Sequence, residues 1–479
     1  MHHRRGGTRF RLYPKAYEGY LEPETVWLSP PPGAIGPGPA DGRMHVVDAL
    51  DKEGPYDPPS WVPPYRGRVG PPAVPSADGH FDHIPVDDRR FLSAHTYASA
   101  RRVLDIWEDF LGRRIPWWHA SAYPSLELIP LVHWNNAQSG GGFVEMGARL
   151  NNEGVLNLFC LNFEVIAHEV GHTILFSQVG VPDPDRLTPE YLAFQESFSD
   201  LIALVSVGFF DSVISRLLEL THGSLYVLNL LNRIGEISQT AQIRIADNET
   251  RLRDLDGLHW DPSSGVWTDD TGAGRNAHDL AQPLTGAIFD IMVDIFQDHL
   301  AERGLIPPEA DARGWSREDA EAAIEWFDAR WGTVFSRFEP DFRDAVIEAR
   351  DTVGRIIALI LHRADPNDLT FARIATLFLE ASLELGQGHR IVAFRENFLD
   401  RDIIAEMPAH APPLRLRAVA RPPPLLPPRA PCFADRVAAS RRAQELAGLR
   451  HAERRTRERH TVRIDRLLRR QHREAGGIG

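Results

Sequence analysis

An apolar, helix-length run that begins near Asn162 carries the feature that most limits what this chain can become: His168, Glu169 and His172 in the order H-E-x-x-H. Residues four apart lie one above the other on a helix face, so both imidazoles can reach one metal ion while Glu169 leans toward a water beside it. Zinc is the ion that such a pair suits. Any fold for this chain must therefore supply a helix here and bring it a third ligand from another segment.

That ligand is expected downstream, in Phe194-Gln195-Glu196-Ser197-Phe198-Ser199-Asp200-Leu201. Glu196 opens a second apolar helix running through Leu204, Val207 and Phe210, and Glu196 and Asp200, four apart, share one face of it. Glu196 can then complete the ligand set, while Asp200 accepts the outer N–H of a ligating histidine and fixes its tautomer. The nearest rival for the third position is Glu190, which has no second acid four residues on.

These two segments, with Glu196 24 positions after His172, resemble the thermolysin-like gluzincin metallopeptidases, in which H-E-x-x-H precedes a Glu-x-x-x-Asp helix. The resemblance covers roughly residues 80–405 and is loose outside the two motifs. It implies an α+β fold of two lobes, with a small mixed sheet and the active-site helices in the N-lobe and a mostly α-helical C-lobe. It also implies zinc-dependent hydrolysis of peptide bonds: His168, His172 and Glu196 hold one catalytic ion, Glu169 is the general base, and Asp200 supports a ligand. Asn136 and Ala137, in a strand expected over Leu131–Ala137, are similar to the family's edge-strand pair that binds substrate backbone. His278, expected just before a helix Leu284–His299, matches the histidine that donates to the oxyanion. Glu164 stands where the family has a structural calcium ligand, but the segment LIALVSVGFF after Asp200 offers no partner acid, which argues against a structural calcium ion. The aromatic residue expected after Asn-Ala is replaced by Gln138-Ser139 and three glycines, so a more open substrate rim is expected.

Composition and punctuation organise the rest. Residues 1–80 are dense in Pro, Gly and charge and read as an extended wrap or partly disordered arm. A helix is expected from Ser93 to about Leu111, capped by Ser93 or Thr96, and strands between Glu127 and Leu158. The zinc-binding catalytic lobe spans 81–235 and a helical C-lobe 236–407, broken at a loop over 254–275 and ending on a helix Phe371–Leu385. A Pro-rich linker occupies 408–431. The tail, 432–479, holds 13 Arg against 6 acids, a local +7; taken from the whole-chain −13, this leaves −20 on residues 1–431. Such a tail, expected to be helical, suits nucleic acid or another polyanion, an acidic partner or an anionic membrane, or folds back on its own acidic body. Lys occurs only at positions 15 and 52, which reads as Arg-favouring codon usage.

The longest apolar run, Leu201 to Phe210, is too short for a membrane span. Two distant cysteines, Cys160 and Cys432, argue against a disulfide scaffold, and the first 20 residues lack the apolar core of an export signal. A cytoplasmic location is therefore expected, with any export by a non-classical route. The expected partner is a peptide or protein substrate. A second reading keeps the fold as a catalytically weak or inactive peptide-binding scaffold; a third is a nucleic-acid-associated factor acting through the tail.

Overall fold

The computed structural model describes residues 6–15, 21–58, 60–150, 156–183, 186–225, 229–238, 241–255, 259–261, 266–268, 277–306 and 320–404. The linker and the basic tail lie outside them. The class is α+β. Strands β1 (Thr8–Leu12) and β2 (Glu24–Leu28) pair antiparallel near the N-terminus. Their alternating pattern sends Phe10, Leu12, Val26 and Leu28 inward. Phe10 stacks on Phe81 at 4.6 Å, so the wrap is anchored by aromatic packing.

A four-stranded sheet follows, built from β3 (Met44–Val46), β4 (Leu126–Ile129), β5 (Ala137–Gly140) and β6 (Phe143–Met146), with helix α1 (Arg90–Leu111) inserted in sequence between β3 and β4. Its order is β3-β4-β6-β5, with β5 antiparallel at one edge and the others parallel. Period-two alternation gives the sheet two faces. Leu126, Leu128, Val144 and Met146 join the main core, which runs without a break from Phe10 to Ile403. Ile129 and Phe143 form a satellite cluster with Ala49, Val132 and Tyr56. On that face Glu127 accepts the Tyr56 hydroxyl at 2.6 Å, and Glu145 meets Lys52, whose ammonium lies 3.6 Å from the Tyr56 and Trp61 ring centres. A short pair, β7 (Ala148–Leu150) with β8 (Leu156–Leu158), then leads into helix α2 (Phe163–Gln178).

Helices α3 (Pro189–Val207) and α4 (Asp211–Thr221) come next, followed by a hairpin of β9 (Arg233–Ser238) and β10 (Ala241–Ile245) and a second of β11 (His259–Asp261) and β12 (Val266–Thr268). Helices α5 (Ala277–Glu302), α6 (Ala320–Arg363), α7 (Phe371–Glu384) and α8 (Ile391–Asp400) complete the described residues, α6 being kinked at Phe338 ahead of Pro340. Among the described residues no single helix is long and apolar enough to cross a membrane.

Several elements depart from the sequence reading. Leu131–Ala137 is not a strand: β4 stops before Pro130, and β5 starts only at Ala137. Helix α1 begins at Arg90, so Ser93 and Thr96 lie inside it, and the Thr96 hydroxyl returns to the Leu92 carbonyl instead of capping. Helix α3 begins seven residues ahead of Glu196, capped by Thr188 with Pro189 behind it, and α5 runs through Pro283 from Ala277. The β9–β10 hairpin stands at the start of what was expected as a helical C-lobe, while β11 and β12 fall within the expected break at 254–275.

The wrap is also locked by a histidine. His95, fully buried on α1, accepts the Tyr13 backbone N–H at Nε2 (3.1 Å), and burial pushes its imidazole down from 6.5 to about 4. A base whose folded value lies below its unfolded one contributes stability that is complete above the unfolded value and is lost as pH falls through 6.5 toward 4. His95→Gln keeps an acceptor without a titrating ring. Thermal unfolding from pH 7 to 4 is expected to show the wild type losing about 3 kcal/mol more than the variant; equal slopes would rule out this linkage.

Candidate metal centre

Asn162 caps α2, its side chain accepting from the backbone of Glu164 (3.1 Å) and Val165 (3.3 Å). This fixes the register that presents His168 and His172 on one face. Gly171 sits between them, and a Cβ there would stand 3.1 Å from Ser199 Cα on α3. The absent side chain lets the two helices approach almost backbone to backbone. Glu196 and Asp200 stand at −3 and +1 from Ser199, as His168 and His172 do from Gly171, so each carboxylate is delivered to an imidazole.

The resulting distances are short. His168 Nε2 and His172 Nε2 are 3.1 Å apart; Glu196 Oε2 lies 3.3 Å from the first and Oε1 3.6 Å from the second. Donors bound tetrahedrally to zinc at about 2.0–2.1 Å stand about 3.3–3.4 Å from one another. The three side chains therefore fit one small cation, and they form the cluster among the described residues that could hold a metal. Asp200 Oδ1 is 2.7 Å from His168 Nδ1, which leaves the Nε2 lone pair for the ion. Glu190 is engaged elsewhere, accepting the backbone N–H of Phe371 at the start of α7.

Electrostatics at the site are set by burial and opposite charge together. Burial and Arg244 act to lower His168, but Asp200 and Glu196 outweigh them and hold it up at about 9. His172 is pulled down to about 4 by burial, against Glu196. Burial would raise Glu196, yet His172, His168 and His278 hold its carboxyl well below the usual range. Glu169 goes the other way: burial raises it, and among the described residues its carboxylate has no hydrogen-bond or ion-pair partner.

His278 is in the first turn of α5, 41% exposed, with Nδ1 2.5 Å from Glu196 Oε2. Ala137 opens β5, an edge strand of the sheet among the described residues, which packs beside α2, and Asn136 stands just before it with its carbonyl tied to Gly147 N–H at 2.9 Å. Gln138 is held from behind by Tyr56 O and Glu145.

Sequence reasoning missed Arg244. Its guanidinium Nε is 2.8 Å from Asp200 Oδ1, one Nη is 3.1 Å from His278 Nδ1, and the other is 2.9 Å from His168 Nδ1. The signal was the apolar-polar-apolar alternation Ile243-Arg244-Ile245, a pattern that in a strand sets arginine and isoleucines on opposite faces but is here only three residues long.

No family model matches the chain, and no curated protein matches it by sequence. Among solved structures it is similar to the precursor of protealysin, a metalloproteinase from Serratia proteamaculans, with 14% identity, a TM-score of 0.31, and coverage of 65% of this chain and 88% of that one.

Removing one ligand should separate the centre from an accidental cluster. Glu196→Gln is expected to lower metal content and, because bound metal stabilises the fold by mass action, the unfolding temperature as well. Asp200→Asn should weaken metal binding about 10–100-fold. Elemental analysis with thermal melts in chelator decides: full metal in Glu196→Gln would place the third ligand elsewhere.

Proposed function

We propose that the protein is a zinc-dependent metallopeptidase, cleaving peptide bonds endoproteolytically with His168, His172 and Glu196 as ligands. The observation that carries this reading is the 3.1–3.6 Å spacing of their donor atoms at the junction of two helices. A zinc ion held there would supply Lewis acidity and a water acidic enough to be deprotonated near neutral pH.

The chain's own groups divide the remaining work. Glu169, raised by burial, takes a proton from the attacking water and passes it to the leaving amine. His278 donates to the oxyanion as the carbonyl becomes tetrahedral. Asp200 holds the His168 tautomer, and Arg244 anchors Asp200 and His278 together. An extended substrate segment adds to the free edge at Asn136 and Ala137, matched by main-chain hydrogen bonds.

A pure binding scaffold is the less favoured reading. A buried carboxylate that meets no hydrogen-bond or ion-pair partner among the described residues is destabilising, and a protein that only holds a peptide gains nothing from Glu169. Glu169→Gln is expected to retain metal and fold while losing about 10²–10⁴-fold in turnover of a quenched-fluorescence peptide library. His278→Ala should lose about 10²–10³-fold, mainly in kcat. Undiminished cleavage by Glu169→Gln would end the reading.

A further inference from the structure

Of the 53 Lys and Arg residues, 51 are Arg once Lys15 and Lys52 are set aside. Codon bias accounts for the 51 but not for where the two lysines stand. Both are buried, and each faces a buried glutamate: Lys15 Nζ is 2.6 Å from Glu164 Oε2, and Lys52 Nζ is 3.2 Å from Glu145 Oε2. A buried ion is tolerated only when its hydrogen bonds are met. An ammonium spreads three N–H bonds from a single point, where a guanidinium needs a flat, wider site.

Lys15 lies just beyond β1 and is 1% exposed. Besides Glu164, its ammonium donates to Leu230 O at 2.7 Å and Arg233 O at 2.9 Å, and the backbone N–H of Gly235 donates to the same Glu164 oxygen at 3.2 Å. A carboxylate and two carbonyls converging on one point are the oxygen donors of a hard-cation site. Here the chain fills that point with its own side chain.

The groups around it belong to separate parts of the site. Glu164 is one turn before His168 on α2. Arg233 and Gly235 are on β9, whose Ile234 pairs with Arg244 on β10. Arg244 in turn contacts Asp200, His278 and His168.

We infer that Lys15 is a tethered cation that positions the β9–β10 hairpin, and Arg244 with it, against α2, so that the N-terminal wrap completes the metal centre. Lys15 is a positioning residue. Its hold on the hairpin stands independently of the peptidase reading; its effect on turnover rests on that reading.

Hydrogen exchange of the full-length protein tests this directly. In Lys15→Ala, amides of residues 233–245 should exchange at least about tenfold faster, while α7, remote in sequence, keeps its protection. Ethylammonium chloride should restore the protection in a saturable way that tetramethylammonium chloride does not match. Below the unfolding temperature, kcat on the peptide library should fall and recover with the same ethylammonium dependence. Unchanged protection at 233–245, or recovery equal in both salts, would overturn the inference. If the wild type cleaves nothing, the exchange result still decides on Lys15 and only the peptidase reading fails. Should Lys15→Ala not fold, Lys15→Met with Glu164→Gln removes both charges at once; lost protection at 233–245 supports the inference and retained protection overturns it.

Discussion

Backbone proximity at one point, Gly171 against Ser199, is what the rest of the molecule depends on. Long carboxylate side chains reach far, but they reach variably, and each rotatable bond costs entropy to fix. Bringing α2 and α3 close means that Glu196 and Asp200 arrive without stretching. An alanine at 171 would push the helices apart by a few tenths of an ångström and disturb the distances from Glu196 and Asp200 to the imidazoles, though it would touch no ligand.

Charge follows from that geometry. Glu169, Glu196 and Asp200 gather three carboxylates against one guanidinium, Arg244, which leaves a formal surplus of two negative charges in a buried space. The imidazoles can balance it only by taking up protons, and their Nε2 atoms, 3.1 Å apart, cannot both do so. A divalent cation balances it with both rings neutral. The site is thus matched to an ion in charge as well as in spacing.

Much of this was legible in the sequence because helical periodicity is local. Four-residue spacing set His168 over His172 and Glu196 over Asp200 without any tertiary information, and the α+β class was implied by the resemblance those two motifs carry. What escaped notice depends on partners far away in sequence. Arg244 gains its meaning from Asp200 and His278 across a short hairpin whose alternation is too brief to stand out. Glu164 looked like half of an ion site, and its partner proved to be Lys15, 149 residues earlier. The apparent strand at Leu131–Ala137 failed for a local reason, since Pro130 ends β4 and pairing resumes only at Ala137.

The N-terminal wrap also has a bearing on how the molecule comes into being. Tyr13 must find His95, and Lys15 must find Leu230 and Arg233, 215 and 218 residues further along. A chain made from its N-terminus therefore cannot seat Lys15 until residues 230 and 233 have been made, although β1 can already pair with β2. Closing so long a loop is slow relative to helix formation. Helices α2 and α3 can form and meet first, giving a nascent chain with its ligands assembled but Arg244 not yet seated. Seating of Lys15 against β9 thus waits for the hairpin, which delays the placing of Arg244 until α2 and α3 have met.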